Sequence, residues 1–275
     1  MGEESFRYTS APERRERLLQ YIADEGYCTI TDLSGIFDVS EMTIRRDVLK
    51  LAEQGKVRAF RGGVGSMGGR EGSGSDYRFR DVTMPAQKHA IADAARRLIG
   101  QDAVVALDAG TTTNQLAAGI VGGQGVRVVT HSFPVIESLA RKPGIELISL
   151  GGTLHPESLS FDGPSTLAAI SNLHVQTFFL AASGVTDRGA FCGNDFDAIT
   201  KRAIIDVSDR VVLLADSSKF AAPNMHMKIC GWDPIDQLIT DTGITEEQVK
   251  MLEDHGVQVT TVEPAGADEL QAAAQ

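Results

Sequence analysis

From Pro85 onward, stretches that are apolar along their whole length alternate with amphipathic ones, and few architectures accept that pattern. QKHAIADAARRLI reads as a helix and AVVALD as a strand, followed by a helix to about Ile120, the strand VRVVTH, the helix FPVIESLAR and the strand IELISL. The alternation continues through TLAAISNL, TFFLAAS, DAITKRAIIDVS, RVVLLAD and DQLITD to the helix TEEQVKMLEDHG and the strand VQVTTV. Strands without a polar face need cover on both sides. The expected fold is therefore α/β, a Rossmann-like, mostly parallel sheet between helix layers.

Ligands of such sheets sit beyond the carboxyl ends of the strands. Five of those ends are rich in Gly, Ser and Thr: Asp108 to Thr113, Thr130-His131-Ser132, Gly151-Gly152, Ser183-Gly184 and Asp216-Ser217-Ser218-Lys219. In LDAGTTTNQL, Gly110 allows close backbone approach, Thr111, Thr112 and Thr113 offer hydroxyls, and their amides open a helix, so a phosphate is the natural guest. The same residues also suit a plain helix cap at a tight turn. Lys219 supplies a cation, or merely snorkels to the surface.

The first part of the chain reads differently. SAPE places Ser10 as a cap, Pro12 in the first turn and Glu13 three residues on, a helix start; Leu18, Leu19 and Ile22 form its apolar face and Gly26 offers the stop. YCTI reads as a strand, Thr31 as the cap of a short helix through Phe37, and Ser40 as the cap of a third helix ending at Gly55. On EMTIRRDVLKLAEQ the spacing buries Ile44, Val48 and Leu51 and turns Met42, Thr43, Arg46 and Lys50 outward, with Arg45 on the shoulder. Such a face suits a DNA major groove, with Ser40 and Thr43 near phosphates. Asp47 is expected to pair with an Arg inside the protein. KVRAFRGGV, turning at Gly62-Gly63, fits a two-stranded wing carrying Lys56, Arg58 and Arg61. A solvated amphipathic bundle with idle surface arginines is the plainer alternative.

Charge supports the division. The chain carries a formal −11, yet up to Gly65 ten Lys and Arg nearly balance eleven Asp and Glu. Only this part approaches a polyanion cheaply. The expected organisation is a DNA-binding domain at 10–65, a flexible Gly- and Ser-rich linker at 66–84, an effector-sensing domain at 85–263 and a fraying tail at 264–275. The charged N-terminus and the lack of a long apolar run point to the cytoplasm. Cys28, Cys192 and Cys230, far apart, read as buried thiols. The six His residues form no HxH or HExxH pattern, and neither metal nor cofactor is expected.

VSEMTIRRDVLKLAEQGKVRAFRGGV resembles the helix-turn-helix signature of the DeoR family of bacterial transcription regulators, VS-x-x-TIRRDL followed by Gly, a basic wing and HGG. Arg61 stands where that family usually has His. The resemblance extends over most of the chain. It implies a winged helix-turn-helix joined to a sensor domain similar in fold to ribose-5-phosphate isomerase and CoA-transferase-like proteins, which binds phosphorylated sugars or related metabolites. Matching positions are Asp108, Gly110, Thr111 and Thr112; Thr130, His131 and Ser132, with His131 in place of the usual Asn; Gly151-Gly152; the Lys201-Arg202 pair; and Asp216 with Lys219. GVTDRG, starting at Gly184, replaces a GID-like segment.

Two functions follow from these features. A sugar-phosphate isomerase needs a general base beside the carbonyl, for which Asp108 and Asp187 can be nominated with Lys219 as electrophile, but no acid cluster stands at the fourth strand. A regulator, more often a repressor in this family, needs only recognition. The expectation is a non-enzymatic repressor of a carbohydrate operon that binds operator DNA as a homodimer or larger homo-oligomer and responds to a phosphorylated sugar.

Overall fold

The computed structural model describes residues 10–25, 27–60, 63–66, 77–221 and 226–264. These form two compact units, one of residues 10–66 with 78–83, the other of residue 77 with 84–264. Among the described residues, no helix is long and apolar enough to cross a membrane.

The smaller unit runs α1 (Ala11–Glu25), β1 (Tyr27–Thr29), α2 (Ile30–Phe37), α3 (Glu41–Glu53), β2 (Val57–Phe60) and β3 (Gly63–Ser66). Three short strands pair antiparallel in the order β1-β3-β2. Ser10 donates to Glu13 through both its N–H and its Oγ, tying down the start of α1 as expected. One cap differs: Thr29, not Thr31, accepts the Asp32 N–H and starts α2. Thr31 instead donates to Glu41. Leu18, Ile22, Leu33, Phe37, Ile44, Val48, Leu51, Val57 and Val64 close one core. At about 1.5–3 kcal/mol for each large side chain removed from water, this small core holds the unit together. Gly26 and Gly62 lie outside the described residues; Gly55, with φ at 66°, leads the chain out of α3.

Residues 67–76 of the expected linker lie outside the described residues. Its second half is not a plain tether: Tyr77–Asp81 form helix α4, whose first residue is buried and donates its N–H to the Glu157 carbonyl at 2.7 Å.

The larger unit continues with α5 (Pro85–Arg96), β4 (Val104–Leu107), α6 (Thr111–Gly119), β5 (Arg127–Thr130), α7 (Phe133–Leu139), β6 (Glu146–Ser149), β7 (Thr153–His155), β8 (Ser160–Asp162), α8 (Pro164–Ile170) and β9 (Thr177–Ala181). Then come β10 (Gly184–Thr186), β11 (Gly189–Cys192), α9 (Asp195–Asp206), β12 (Val211–Leu214), β13 (Met227–Cys230), β14 (Gln237–Asp241), α10 (Glu246–Asp254) and β15 (Gln258–Val262). Seven strands pair in the order β15-β14-β12-β9-β4-β5-β6, every pair parallel. Successive strand residues enter opposite cores. Val105, Leu107, Phe179 and Val212 pack with Ile91 of α5, Leu116 of α6 and Leu139 of α7; Ala106, Phe178, Leu180 and Leu213 pack with Ile170 of α8, Ile204 of α9 and Leu252 of α10. This two-sided burial is what the uninterrupted apolar runs required.

Two antiparallel additions were not expected. β7 and β8 form a hairpin, and β10, β11 and β13 form a small second sheet. Their strands are three or four residues long, too short to show a period. Gly184, expected as a loop residue at a strand end, lies in β10 opposite Phe191.

Candidate functional site

The strand order reverses between β4 and β9, and the crevice beyond their carboxyl ends is the position such sheets use for ligands. Asp108 lies there with no exposure. Its Oδ1 accepts the Ala109 N–H, and its Oδ2 accepts the Ala181 N–H at 2.7 Å and the Lys201 ammonium at 2.5 Å. Lys201 reaches in from α9, its side chain 3% exposed, and also donates to the Ala181 carbonyl at 3.0 Å and stands 3.5 Å from Asp197 Oδ1. Burial opposes the ammonium's charge, but Asp108 and then Asp197 outweigh it and raise its pKa. Lys201 thus bolts α9 to the ends of β4 and β9.

The sequence marks Lys201 only as one of a Lys-Arg pair, with no role of its own. A signal was present. Ala198, Lys201 and Ile204 are spaced three apart, so the lysine lies on the apolar face of α9, where a charge requires a partner.

Several residues expected at the effector site are engaged within the protein itself. Thr113, with no exposure, accepts the Gly110 N–H and donates to the Asp108 carbonyl. Thr130 donates to the Leu107 carbonyl and accepts the Ser132 N–H; Ser132 caps α7 by accepting the Val135 N–H. Gly110 makes room for protein, since a Cβ there would stand 2.5 Å from that of Ala181. Gly152, at φ 142°, is likewise hemmed in by Thr166 and the Asp162 carbonyl, while Gly151 is open. Lys219 is 16% exposed and stands 3.6 Å from Asp216, so its charge is already answered. Asp216 also accepts from Ser218 through its other oxygen.

Thr111 and Thr112 differ. They are 4% and 6% exposed, and their hydroxyls make no hydrogen bond among the described residues. They stand at the first turn of α6, whose opening N–H groups have no intrahelical acceptor.

His131, 1% exposed, has Nε2 3.6 Å from Asp108 Oδ1 and no hydrogen-bond partner on either nitrogen. Burial lowers its pKa despite Asp108 and Asp197, so the ring is neutral at pH 7. Asp108, His131 and Asp197 are close enough to share a cation, but the Lys201 ammonium already stands on both carboxylates. Asp108, once nominated as a general base, is fully committed to Lys201 and two amides. Asp187 lies exposed in the β10–β11 turn, its carbonyl accepting from Trp232. Burial raises the Cys192 thiol to about 12 and that of Cys230 to about 11, which leaves both protonated.

In the smaller unit, Ser40 caps α3 by accepting the Thr43 N–H, and the two hydroxyls bond each other at 2.9 Å. Ile44, Val48 and Leu51 are buried as expected, and Asp47 is held by Arg14 at 2.6 Å and Arg15 at 3.1 Å. Met42 is 64% exposed, and Arg45 makes only a loose pair with Glu41 at 3.5 Å. Arg46 and Lys50 are exposed and, among the described residues, form no ion pair. Leu49, 57% exposed, shares this surface and was not anticipated. Arg58 lies on β2 opposite Gly65; Arg61 lies outside the described residues.

Comparison with known proteins agrees with both units. Residues 14–68 match the DeoR-like helix-turn-helix domain and residues 83–242 the DeoR C-terminal sensor domain. An uncharacterized HTH-type transcriptional regulator, YulB of Bacillus subtilis, is 34% identical, covering 91% of this chain and 96% of its own length. A putative aga operon transcriptional repressor of Escherichia coli O157:H7 is 32% identical, covering 93% and 96%. The glycerol-3-phosphate regulon repressor of Escherichia coli K12 is 28% identical, covering 90% and 97%. With a reading helix in one unit, a sensor sheet in the other and relatives alike over nearly their full length, the chain belongs to the DeoR family of DNA-binding transcriptional regulators.

Proposed function

We propose that this regulator is a cytoplasmic repressor of a carbohydrate operon, that it binds its operator as a homodimer or larger homo-oligomer, and that a phosphorylated sugar or similar anionic metabolite modulates its grip. The observation that carries the sensing half is the first turn of α6, where the uncommitted hydroxyls of Thr111 and Thr112 meet unpaired helix amides at the reversal point of the sheet. A phosphate oxygen satisfies those donors, and the helix dipole favours its charge. The names of the aga operon and glycerol-3-phosphate regulon repressors support the same class of role. For the DNA half, the exposed face of α3 enters the major groove: Ser40, Thr43, Arg58 and Arg61 are assigned to phosphates, and Met42, Arg45, Arg46 and Lys50 to bases and backbone.

Within the sensor, Asp108, Gly110, Thr113, Thr130, Ser132, Gly151, Gly152, Gly184 and Lys219 shape the site, while Thr111 and Thr112 face the phosphate and His131 faces the remainder of the effector. An effector that prefers the weakly binding conformation lowers operator affinity tenfold to a hundredfold with about 1.4–2.7 kcal/mol of coupling. The test is a thermal-shift screen of phosphorylated sugars and polyols, with each hit assayed for release of the protein's own upstream DNA. A hit that moves both readouts and is lost in Thr111→Val supports the reading. Turnover of the hit, or a shift unaffected by Thr111→Val, refutes it.

A further inference from the structure

The loop after β5 lies beneath the β7–β8 hairpin. Phe161 donates its N–H to the His131 carbonyl and Phe133 donates to that of Leu159, both at 2.8 Å, while Ser132 bridges to Ser160. From the other side the first turn of α9 brings in Asp197 and Phe196. The Phe196 ring stacks on His155 of the hairpin at 3.7 Å between centroids and 14° between planes, and His155 in turn stands 2.6 Å from Asp162. The hairpin is bounded by Gly152 and Gly163, both at positive φ, and with α9 it closes over His131.

Beneath this cover are polar atoms that the fold leaves unsatisfied. Neither His131 nitrogen nor Asp197 Oδ1 has a hydrogen-bond partner, although all three are shut from solvent, and Asp197 Oδ1 has only the Lys201 ammonium at 3.5 Å. One atom from each of Asp108, His131 and Asp197 lies within 4.8 Å of the other two, so a single oxygen among them reaches all three. A buried imidazole N–H without an acceptor is destabilising, a cost that a guest removes.

The chemistry of these three side chains selects the guest. A phosphate oxygen meets two carboxylates, and a divalent cation meets the Lys201 ammonium already lodged on both of them. A hydroxyl fits: it donates to Asp197 and accepts from the neutral imidazole. We propose that His131 and Asp197 form a hydroxyl-reading subsite under the β7–β8 hairpin, specific for the polyol portion of a ligand whose phosphate rests on α6. The proposal builds on the phosphate reading above and adds which end of the ligand decides specificity.

The experiment titrates the full chain with inorganic phosphate, with phosphates of three- to six-carbon polyols and sugars, and with alkyl phosphates of matching length. The wild type should prefer its best polyol phosphate over the matching alkyl phosphate by about tenfold or more, since a lost hydroxyl leaves buried groups unpaired. In His131→Leu that preference should collapse while the affinity for inorganic phosphate stays unchanged. Asp197→Ala, at a side chain still 13% exposed, gives the same result by a substitution nearer the surface. A preference that survives in both variants overturns the subsite, as does a wild type that binds alkyl and polyol phosphates equally, for instance because water bridges His131 and Asp197. Failure of every phosphate, inorganic phosphate included, to bind the wild type overturns the phosphate reading and the subsite with it.

Discussion

On the outer face of α3, Arg46 and Lys50 stand in solvent without ion-pair partners among the described residues; at the reversal point of the sheet, Lys201 is 3% exposed and held by Asp108, Asp197 and a carbonyl. Both regions carry cations in a family that handles anions, yet only in the first are the cations themselves placed to receive one; at the second, Lys201 is spent on the protein's own carboxylates. An exposed cation exchanges water and counterions for a phosphate at little desolvation cost. A buried cation with saturated donors holds other groups in place. The difference teaches that a lysine at a binding site is to be judged by its unsatisfied donors, not by its charge.

The largest effect should come from Lys201→Met. Removing one partner of a buried pair strands the Asp108 carboxylate, so the larger unit should lose about 3–5 kcal/mol in denaturant unfolding, and adding Asp108→Asn should recover much of it. A loss under about 1 kcal/mol, the level of an exposed pair, would erase the contrast between the two regions. Next in size is Gly110→Ala, whose methyl group meets that of Ala181. Such overpacking should cost about 1–3 kcal/mol, with Ala181→Gly restoring it. If Gly110→Ala instead leaves stability intact and blocks only effector binding, Gly110 serves the ligand after all.

The smallest effect is a pH dependence. Because burial holds the His131 pKa down, the unfolded chain takes up a proton that the folded chain refuses as pH falls below about 6.5. Its contribution to stability is therefore present above that pH and is lost below it. In His131→Gln the acid limb of the stability profile should be shallower than in the wild type. Equal slopes would mean that His131 is protonated in the folded protein as readily as in the unfolded one.

The sheet was readable because its evidence is redundant: strands such as VVLL bury every residue, and only a sheet covered on both faces accepts that. The third helix was readable for a similar reason, since Ser40, Ile44, Val48, Leu51 and Gly55 all mark the same element. Most of the expected strand-end residues do follow their strands, Gly184 within β10 being the exception, but their roles are harder to interpret. Thr111 and Thr113 look alike in GTTT, yet one hydroxyl is uncommitted and the other closes the turn onto Gly110 and Asp108. That depends on which way each side chain faces within one helical turn. Lys201 lies 93 residues from Asp108, and no local pattern pairs them. The β7–β8 hairpin owes its place to backbone bonds with the His131 loop rather than to any apolar period of its own.

The central claim, that the unpaired cations of α3 carry DNA recognition, is tested most directly by measuring operator affinity across a range of salt concentrations for the wild type, Arg46→Ala and Lys50→Ala. Each substitution at a phosphate-contacting cation should reduce the slope of log K against log salt by about one, with folding unchanged. Slopes and affinities identical to the wild type in both variants would contradict the account.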